Sequence, residues 1–473
     1  MENQAGKISI AAILFGFLLF SWFAPAVFAD STQSVNLQSG QSGIAHFLAL
    51  ADIHFDPFLS CRNRIPCPLI EKLRRVPSNQ WSALLSRYDT TPPQYRFDTS
   101  YPLLTSALDA SRKAARDAHA RFVLVLGDFI GHEFRYYYRR YSTDMTMAGY
   151  QSFVRKTMEF LTGELASRFP DMDIYSLVGN NDSYQDDYVS NPGGQFFRDT
   201  AVLWSRLVKN KDNRMALQKM FVPAGYYSVT LPERSDVRLI ILNTNLFSYK
   251  AQGRLIDKAA VNELNWLHDQ LRSAKENNQK VLIAMHIPEG IDVYATLRTR
   301  LFRLIALWKS QYAARFQSEL QQYASEIAGI LVGHLHSDWF QILTFDNSDE
   351  IPITGVPSIS PIFGNNPGFK IYTYGQQPLR LKDFTTYYYP VNGKKSWGLE
   401  YNFSRVYQGN CQDCSITSHM RMLKRAGTLA DFYKDHYSLG TQTQPITSKW
   451  YPYYWCAIWE VEQSDYRKCI NQP

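Results

Sequence analysis

Short apolar segments of strand length recur along the chain, and each is followed directly by a polar turn. Their length and their content of β-branched residues are typical of buried β-strands. Six such segments are predicted as strands: Ile44–Leu50, Phe122–Leu126, Ile174–Val178, Val237–Leu242, Val281–Met285 and Ile327–Val332. Because strands that are apolar throughout need cover on both faces, the pattern favours a layered protein.

Apolar residues with helical spacing lie between these strands. Residues 104–115 and 264–271 each place their apolar side chains on one face, which predicts two amphipathic helices. A longer segment, residues 294–323, has Leu304 and Trp308 on one side and predicts a third helix. Strands that alternate with helices indicate an α/β fold, in which ligands bind beyond the carboxyl ends of the strands.

Two regions lack a clear hydrophobic period. Residues 56–99 are rich in Pro and Arg and are predicted to form a long surface loop or a small insert. After about residue 376, clustered aromatic residues accompany short helical patterns, which predicts a small, mostly helical C-terminal subdomain over residues 376–473. Residues 30–375 are then the main domain.

The N-terminus has the features of an export signal. Lys7 precedes an apolar stretch over Ile8–Phe23, and the small residues before Asp30 predict cleavage after Ala29. An uncleaved membrane anchor is the alternative, but the stretch is shorter than the ~20 residues that a bilayer core requires. Residues 1–29 are therefore predicted to be a signal peptide. The remainder is predicted to be secreted, periplasmic or lumenal, without a membrane span.

Composition excludes some classes of protein. Of the 473 residues, 45% are hydrophobic and 14% are aromatic, which is incompatible with an intrinsically disordered chain. The formal net charge is +7, but the basic residues are scattered and no nucleic-acid motif is present. A segment at Phe134–Tyr141 combines Arg and Tyr side chains that can bind phosphates, but an ordinary solvated helix or loop face is the favoured interpretation.

The six cysteines fit an exported protein, because oxidising compartments favour disulfide bonds. Proximity along the chain favours three local pairs: Cys61–Cys67, Cys411–Cys414 and Cys456–Cys469. A redox or zinc role for the second pair is the alternative. No other pair with the same spacing accompanies it, so a structural bridge is favoured.

The polar turns after the strands contain the residue types that bind divalent metals. In chain order they are Asp-x-His, Gly-Asp-x-x-x-His, Gly-Asn-Asn-Asp, His-x-Pro and Gly-His-x-His. Carboxylate oxygens and imidazoles suit zinc, iron or manganese, and without thiolates a structural zinc site is disfavoured. One Asp can bridge two ions about 3.5–4 Å apart, and such a pair can stabilise a phosphoryl transfer. The order of the turns therefore predicts a two-metal site.

These motifs resemble those of the calcineurin-like metallophosphoesterase superfamily and, within it, the acid sphingomyelinase-like phosphodiesterases. The resemblance spans roughly residues 45–470 and includes four further blocks: Leu242–Asn245, Val356–Pro361, Asn366–Phe369 and the ending Cys456–Cys469. It implies that the main domain is a catalytic α/β/β/α sandwich of four layers, followed by the C-terminal subdomain.

The resemblance also implies seven metal ligands and two divalent ions that share Asp128. The first ion would be bound by Asp52, His54, Asp128 and His336. The second would be bound by Asp128, Asn180, His286 and His334. The family suggests zinc, whereas the residue types alone leave iron and manganese open. A metal-bound hydroxide would be the nucleophile.

Two positions depart from the family pattern. Asn181 stands where the superfamily usually has His, and it can donate a hydrogen bond but cannot act as a general acid near neutral pH. Its block resembles that of the endopolyphosphatases. Glu289 replaces a Pro of the usual block, for which the sequence offers no account. His132 matches a family His beside the metal ligands. One hypothesis is that His132 protonates the leaving group or that the substrate needs little protonation. The alternative is that Asn181 merely positions phosphate.

The leading interpretation is an exported enzyme that hydrolyses phosphodiester or phosphoanhydride bonds of nucleotides or related small phosphates. Asn181 favours anhydrides, because these have good leaving groups. An endopolyphosphatase and a sphingomyelinase-type lipid phosphodiesterase are alternatives. The resemblance implies that a sphingomyelinase carries a lipid-presenting helical domain before its catalytic domain. Only about 15 residues separate the predicted cleavage site from the first strand here, so the lipid enzyme is disfavoured. A non-catalytic metal-dependent binding protein is the last alternative, and the intact ligand set argues against it.

Overall fold

The strands of the computed structural model form two mixed sheets. The structure describes residues 43–61, 64–231, 234–300, 303–407, 414–426, 430–441 and 446–471. The strands are β1 (Ile44–Leu50), β2 (Ala120–Val125), β3 (Asp173–Ser176), β4 (Tyr227–Leu231), β5 (Arg234–Ile241), β6 (Lys280–Met285), β7 (Ile327–Val332), β8 (Phe340–Thr344), β9 (Glu350–Gly355), β10 (Gly368–Gln376), β11 (Leu379–Tyr388) and β12 (Gly398–Asn402). The first sheet has the order β12-β11-β10-β1-β2-β3, and the second has the order β4-β5-β6-β7-β9-β8.

The first sheet has one parallel half and one antiparallel half, whereas the second has a parallel centre with an antiparallel strand at each edge. In the first sheet β1, β2 and β3 are parallel, and in the second β5, β6, β7 and β9 are parallel. The six predicted strands correspond to β1, β2, β3, β5, β6 and β7. Because parallel strands end at the same edge, the turns after these strands converge.

Helices flank the sheets. They are α1 (Pro68–Arg75), α2 (Trp81–Tyr88), α3 (Tyr101–Asp117), α4 (Phe134–Tyr141), α5 (Met147–Arg168), α6 (Gln195–Trp204), α7 (Lys211–Ala224), α8 (Arg254–Glu276), α9 (Val293–Arg298), α10 (Ser310–Gln322), α11 (Phe403–Val406), α12 (Ile416–Ala426), α13 (Ala430–Tyr437), α14 (Tyr451–Trp459) and α15 (Gln463–Ile470). In one core cluster, Leu264 and Leu267 of α8 and Phe316 of α10 pack against the second sheet. The predicted α/β fold, with two sheets flanked by helices, is confirmed.

The two sheets contact each other through buried polar side chains as well as apolar ones. Thr354 of β9 and Tyr372 of β10 are hydrogen-bonded at 2.9 Å. Lys370 of β10 donates to the Gly355 carbonyl oxygen at 2.7 Å and pairs with Asp338, also at 2.7 Å. A buried charge needs such partners, so these contacts set how the sheets face each other.

The prediction of one long helix over residues 294–323 is wrong. Helices α9 and α10 are separate, and the chain between them turns back so that Ile291 and Ala306 form a β-bridge. Trp308 is buried, and its Nε1 donates to the Ile287 carbonyl oxygen at 3.1 Å. The apolar residues that mimic a helix face are instead anchored in the core by tertiary contacts.

The described residues of the segment 56–99 include two short helices, α1 and α2. The Cys61–Cys67 disulfide precedes α1, and α2 follows it. Trp81 is fully buried and its Nε1 donates to the Leu73 carbonyl oxygen at 3.1 Å. The two short helices thus pack on each other. Helices of this length leave no long periodic pattern in the sequence.

The first sheet continues beyond residue 375, where the predicted C-terminal subdomain begins, because β11 and β12 pair into it. The helices after β12 include α14 and α15, which the Cys456–Cys469 disulfide joins. Cys414 is disulfide-bonded, but its predicted partner Cys411 lies outside the described residues.

The predicted signal peptide also lies outside the described residues. Within the part of the chain that the structure describes, no helix is both long enough and apolar enough to cross a membrane.

Candidate metal centre

The structure brings the predicted metal ligands together where the parallel strands of both sheets end. His334 is half-buried and the other six are buried. They follow β1 (Asp52, His54), β2 (Asp128), β3 (Asn180), β6 (His286) and β7 (His334, His336). The site therefore lies at the common edge that an α/β sheet provides for ligands.

Five of these residues have left-handed backbone conformations. The φ angles are 50° at Asp52, 43° at His54, 54° at Asp128, 71° at His334 and 57° at His336. Residues other than glycine rarely adopt such angles, and each instance costs on the order of 1 kcal/mol or more. Strain of this kind is concentrated at functional sites, where it aims side chains in directions that a relaxed turn does not allow.

Two glycines let the turns after β2 and β3 approach each other closely. A Cβ atom on Gly179 would lie 2.0 Å from Asp128 Oδ1 and 2.3 Å from the Asp128 amide nitrogen. Gly127 has a φ of 87°, and its Cβ would lie 2.6 Å from the Gly179 amide nitrogen. Only glycine fits either position, which gives a physical reason for the Gly-Asp and Gly-Asn-Asn-Asp motifs.

The first group of ligands surrounds His54. Its Nε2 lies 3.1 Å from His336 Nε2 and 3.3 Å from Asp128 Oδ2, and His336 Nε2 lies 3.4 Å from Asp52 Oδ1. His54 Nδ1 donates to the Ile130 carbonyl oxygen at 3.1 Å, so Nε2 is the ring nitrogen directed at the site.

The second group surrounds His286. Its Nε2 lies 3.2 Å from Asp128 Oδ2 and 3.1 Å from Asn180 Oδ1, while its Nδ1 donates to the Leu126 carbonyl oxygen at 2.7 Å. Asp128, His286 and His334 place one ligand atom each within 4.8 Å of one another. The carboxylate of Asp128 is thus adjacent to both groups, as a bridging ligand must be.

The donor atoms fit two divalent cations. Acceptor atoms face each other at about 3.1 Å in both groups, and lone pairs at this distance need a cation or a proton between them. Imidazole and carboxylate ligands suit zinc, iron or manganese. Bound metal ions would also balance the carboxylates that the site buries.

The shifted pKa values of His54 and His286 also indicate that the site favours positive charge. Burial acts to lower the pKa of His54, but Asp128 and Asp52 outweigh it and raise this pKa to about 10. Asp128 likewise outweighs burial at His286, whose pKa rises to about 9. The pKa values of His334 and His336 lie well below the usual range because of burial and neighbouring histidines. These two rings are therefore neutral, the form that binds metal.

His132 lies beside the first group. Its ring stacks on that of His54 with centroids 4.0 Å apart. Its Nδ1 donates to Asp98 Oδ1 at 3.1 Å, and its backbone N–H donates to Asp98 Oδ2 at 2.7 Å. Asp98 also accepts from Ser360 Oγ at 2.9 Å. Asp98 is not predictable from the sequence, because it belongs to the aperiodic segment 56–99 and no motif marks it.

Asn181 contacts the bridging carboxylate. Its backbone N–H donates to Asp128 Oδ1 at 2.8 Å, and its side-chain amide donates to Asp128 Oδ2 at 3.0 Å. Asp182 holds the same turn by accepting backbone N–H groups of Gly179 at 2.9 Å and Phe129 at 2.8 Å. Burial, followed by the nearby charge of Asp128, raises the pKa of Asp182 to about 7.

A cavity of about 380 Å³ extends from the metal ligands to helices α13 and α14. Lys250 and Arg298 line it and are exposed. The Lys250 ammonium lies 4.1 Å from the ring centre of Tyr188, whose hydroxyl is 3.4 Å from His334 Nε2. Sequence analysis missed these cavity residues, since they lie outside the motifs and only folding brings them to the site. Glu289, 3% exposed, also lines the cavity.

Comparison with known proteins supports the resemblance. Cyclic GMP-AMP phosphodiesterase SMPDL3A of Rattus norvegicus is 24% identical over 398 residues, covering 79% of this chain and 82% of the relative. Acid sphingomyelinase-like phosphodiesterase 3b of Homo sapiens is 25% identical over 453 residues, covering 90% of each chain. No family model matches the chain. A crystal structure of a dimetal phosphatase from Danio rerio is 13% identical, with a TM-score of 0.42, and covers 76% of this chain and 98% of that one. The homologues of the chain are thus acid sphingomyelinase-like phosphodiesterases.

Proposed function

We propose that this chain, a homologue of the acid sphingomyelinase-like phosphodiesterases, is a metal-dependent phosphodiesterase for nucleotides or related small phosphates. The observation that carries the proposal is the pair of ligand groups that share Asp128 at one end of a cavity. Lys250 and Arg298 add positive charge at the same cavity. This combination suits a phosphoryl group that is bound, oriented and cleaved in one place.

The seven residues that the resemblance implies would hold two divalent ions, which we propose to be zinc. Ions bound there would polarise the phosphoryl group and lower the pKa of a water molecule. Asn181 orients the Asp128 carboxylate through two hydrogen bonds. The role that we assign to Asn181 is therefore to position the bridging ligand, and protonation of the leaving group falls to another residue.

His132 is the proposed proton donor to the leaving oxygen. Asp98 accepts its Nδ1–H, so that Nε2 is the nitrogen available on the cavity side. A carboxylate in this position orients the ring and fixes which ring nitrogen faces the cavity. His132 is also close enough to form one group with His54 and His336, with ligand atoms within 4.8 Å of one another.

Nucleotide phosphodiesters are the substrates that we favour, with phosphoanhydrides second. The names of relatives include both cyclic GMP-AMP phosphodiesterase and sphingomyelinase phosphodiesterase. Tyr188, Tyr437 and Tyr454 line the cavity and offer faces on which a base can stack. Long-chain polyphosphate, by contrast, has no aromatic part for these rings to contact. Both described disulfides fit the proposed export of the protein.

The proposal is tested by assaying the purified protein with zinc, manganese or iron against a nucleotide diester, ADP, sphingomyelin and long-chain polyphosphate. Metal-dependent turnover of the nucleotide diester, lost with a chelator and restored by metal, is expected. His336→Ala should lower the bound metal measured by elemental analysis. Bound metal without turnover of any of the four substrates would favour a binding protein, and a preference for sphingomyelin would favour a lipid enzyme.

A further inference from the structure

Two buried side chains that line the cavity, Glu289 and Gln341, each have an oxygen atom without a hydrogen-bond partner among the described residues. Both residues are 3% exposed. Glu289 Oε1 accepts from Gln317 Nε2 at 2.5 Å, and Oε2 is the atom left over. Gln341 Nε2 donates to the Ala457 carbonyl oxygen at 3.0 Å, and Oε1 is left over. Asn365 Oδ1 and Trp339 Nε1 on the same cavity also have no hydrogen-bond partner among the described residues. Buried polar atoms are rarely left unpaired, so such atoms gathered at one cavity point to a bound molecule.

The two side chains come from neighbouring segments. Glu289 precedes Gly290, whose Cβ, if present, would lie 3.1 Å from Gln341 Nε2. Gly290 has a φ of 119°, which other residues rarely adopt. The cavity that both line also contains Asp128 and His334 of the metal centre. A molecule bound at the metal-centre end of the cavity can therefore extend towards this pair.

We propose that Glu289 and Gln341 form a subsite that hydrogen-bonds the nucleobase of the substrate. The inference rests on the proposed function and adds the means by which the site selects a nucleotide. It also gives Glu289, which replaces the Pro of the related sequences, a role in specificity.

The chemistry of the pair matches the edge of a base. Burial raises the pKa of Glu289 to about 8, so the group keeps its proton at neutral pH and Oε2 donates. Gln341 Oε1 accepts. Nucleobases carry a donor and an acceptor side by side on their edges, which is the complementary pattern. A choline group, which is a cation without N–H or O–H donors, would need an ionised carboxylate instead.

The test compares two substrates with the same scissile bond and leaving group, thymidine 5′-(p-nitrophenyl phosphate) and methyl p-nitrophenyl phosphate. The ratio of their kcat/KM values measures the contribution of the nucleoside. We expect Glu289→Leu and Gln341→Leu each to lower this ratio at least tenfold. Glu289→Gln keeps a donor in place and should lower it less than threefold. Gln322→Leu, at an exposed position in α10, is the matched control.

If the Leu variants lose equal activity on both substrates, or lose none, the ratio of kcat/KM values stays unchanged. That result would overturn the subsite proposal. So would a larger effect on p-nitrophenylphosphorylcholine than on the thymidine ester. If the wild-type protein hydrolyses neither ester, the proposed function fails, and the subsite is then judged by calorimetric titration with AMP. Weaker AMP binding to Glu289→Leu and Gln341→Leu than to the Gln322→Leu control would support the subsite, and equal binding would refute it.

Discussion

At the scale of single residues, the site depends on close backbone approach as much as on its ligands. Gly179 lets the turn after β3 reach Asp128, and Asn181 and Asp182 of the same turn then bind the Asp128 carboxylate and the backbone beside it. The Gly-Asn-Asn-Asp motif therefore positions the Asp128 carboxylate, in addition to supplying Asn180, a proposed metal ligand.

Gly179→Ala should displace Asp128, because its new Cβ would lie 2.0 Å from Asp128 Oδ1. We expect at least a tenfold loss of kcat/KM and lower metal content by elemental analysis. Gly163→Ala is the control, since Gly163 lies inside α5 with nothing within 4 Å of its Cβ. That change should leave activity intact and stabilise the protein by up to about 1 kcal/mol. Normal metal content in Gly179→Ala would contradict the close-approach argument.

His132→Ala should lower kcat by about 10²–10⁴-fold on an alkyl phosphodiester, whose leaving group needs a proton. The loss on a p-nitrophenyl ester or an anhydride should be much smaller, because those leaving groups depart without protonation. Steady-state kinetics on both substrates measure the difference. His119→Asn changes an exposed histidine at the end of β2 that is remote from the site, and it should leave kcat on both substrates unchanged. Equal losses in His132→Ala would show that the residue is not the proton donor.

At the scale of elements, the C-terminal helices belong to the binding cavity. Residues of α13 and α14 line it together with the strand-end turns. The Cys456–Cys469 disulfide, Tyr466 of α15 and Ile291 lie in one apolar cluster. The cluster thus connects the terminal helices to the segment that carries Glu289. The predicted subdomain boundary at residue 376 falls within the first sheet, because β11 and β12 lie beyond it and pair into that sheet.

Replacing Cys456 and Cys469 with Ser should destabilise the terminal helices. The two cysteines are 13 residues apart, and closing a loop of about 15 residues contributes roughly 3 kcal/mol. Hydrogen exchange should become faster in α14 and α15, and KM should rise because α14 is a wall of the cavity. The Cys61→Ser/Cys67→Ser pair, in the insert, is the control and should leave exchange in α14 unchanged. Unchanged exchange in the first variant would refute the prediction.

At the scale of the whole molecule, a buried carboxyl group makes stability depend on pH. Glu263 of α8 is fully buried; its Oε1 accepts from the Asn243 backbone N–H at 2.6 Å, and Oε2 has no partner among the described residues. Burial raises the pKa of Glu263 to about 8. The folded state therefore keeps a proton that the unfolded state loses above its ordinary pKa of about 4.3.

Because the folded state binds more protons in this window, Glu263 should lower stability as pH rises from about 5 to 8, by at most about 1.4 kcal/mol per pH unit. Glu263→Gln cannot ionise, so its stability relative to the wild type should increase over the same range. Urea unfolding at pH 5, 6.5 and 8 measures this difference. Glu276→Gln, at the exposed end of the same helix, is the control. A difference that does not change with pH would rule out Glu263 as the titrating group.

The sequence by itself was sufficient for the main strands, the class of fold and the residues that converge on the metal centre. Buried parallel strands are continuous apolar segments, and ligands follow them directly, so both are local features that a linear pattern preserves. The resemblance to acid sphingomyelinase-like phosphodiesterases was equally local, since it rested on short motifs, and the comparisons confirm it.

Only the tertiary structure showed which residues surround those motifs. Asp98 reaches His132 from an aperiodic segment. The segment around Trp308 has helical spacing but is not one helix, because the contacts of Trp308 in the core outweigh local propensity. Glu289 and Gln341 are 52 positions apart in the sequence, and their unpaired oxygens have meaning only once the chain has buried them at one cavity. Such relations depend on distance in space, which spacing along the chain does not record.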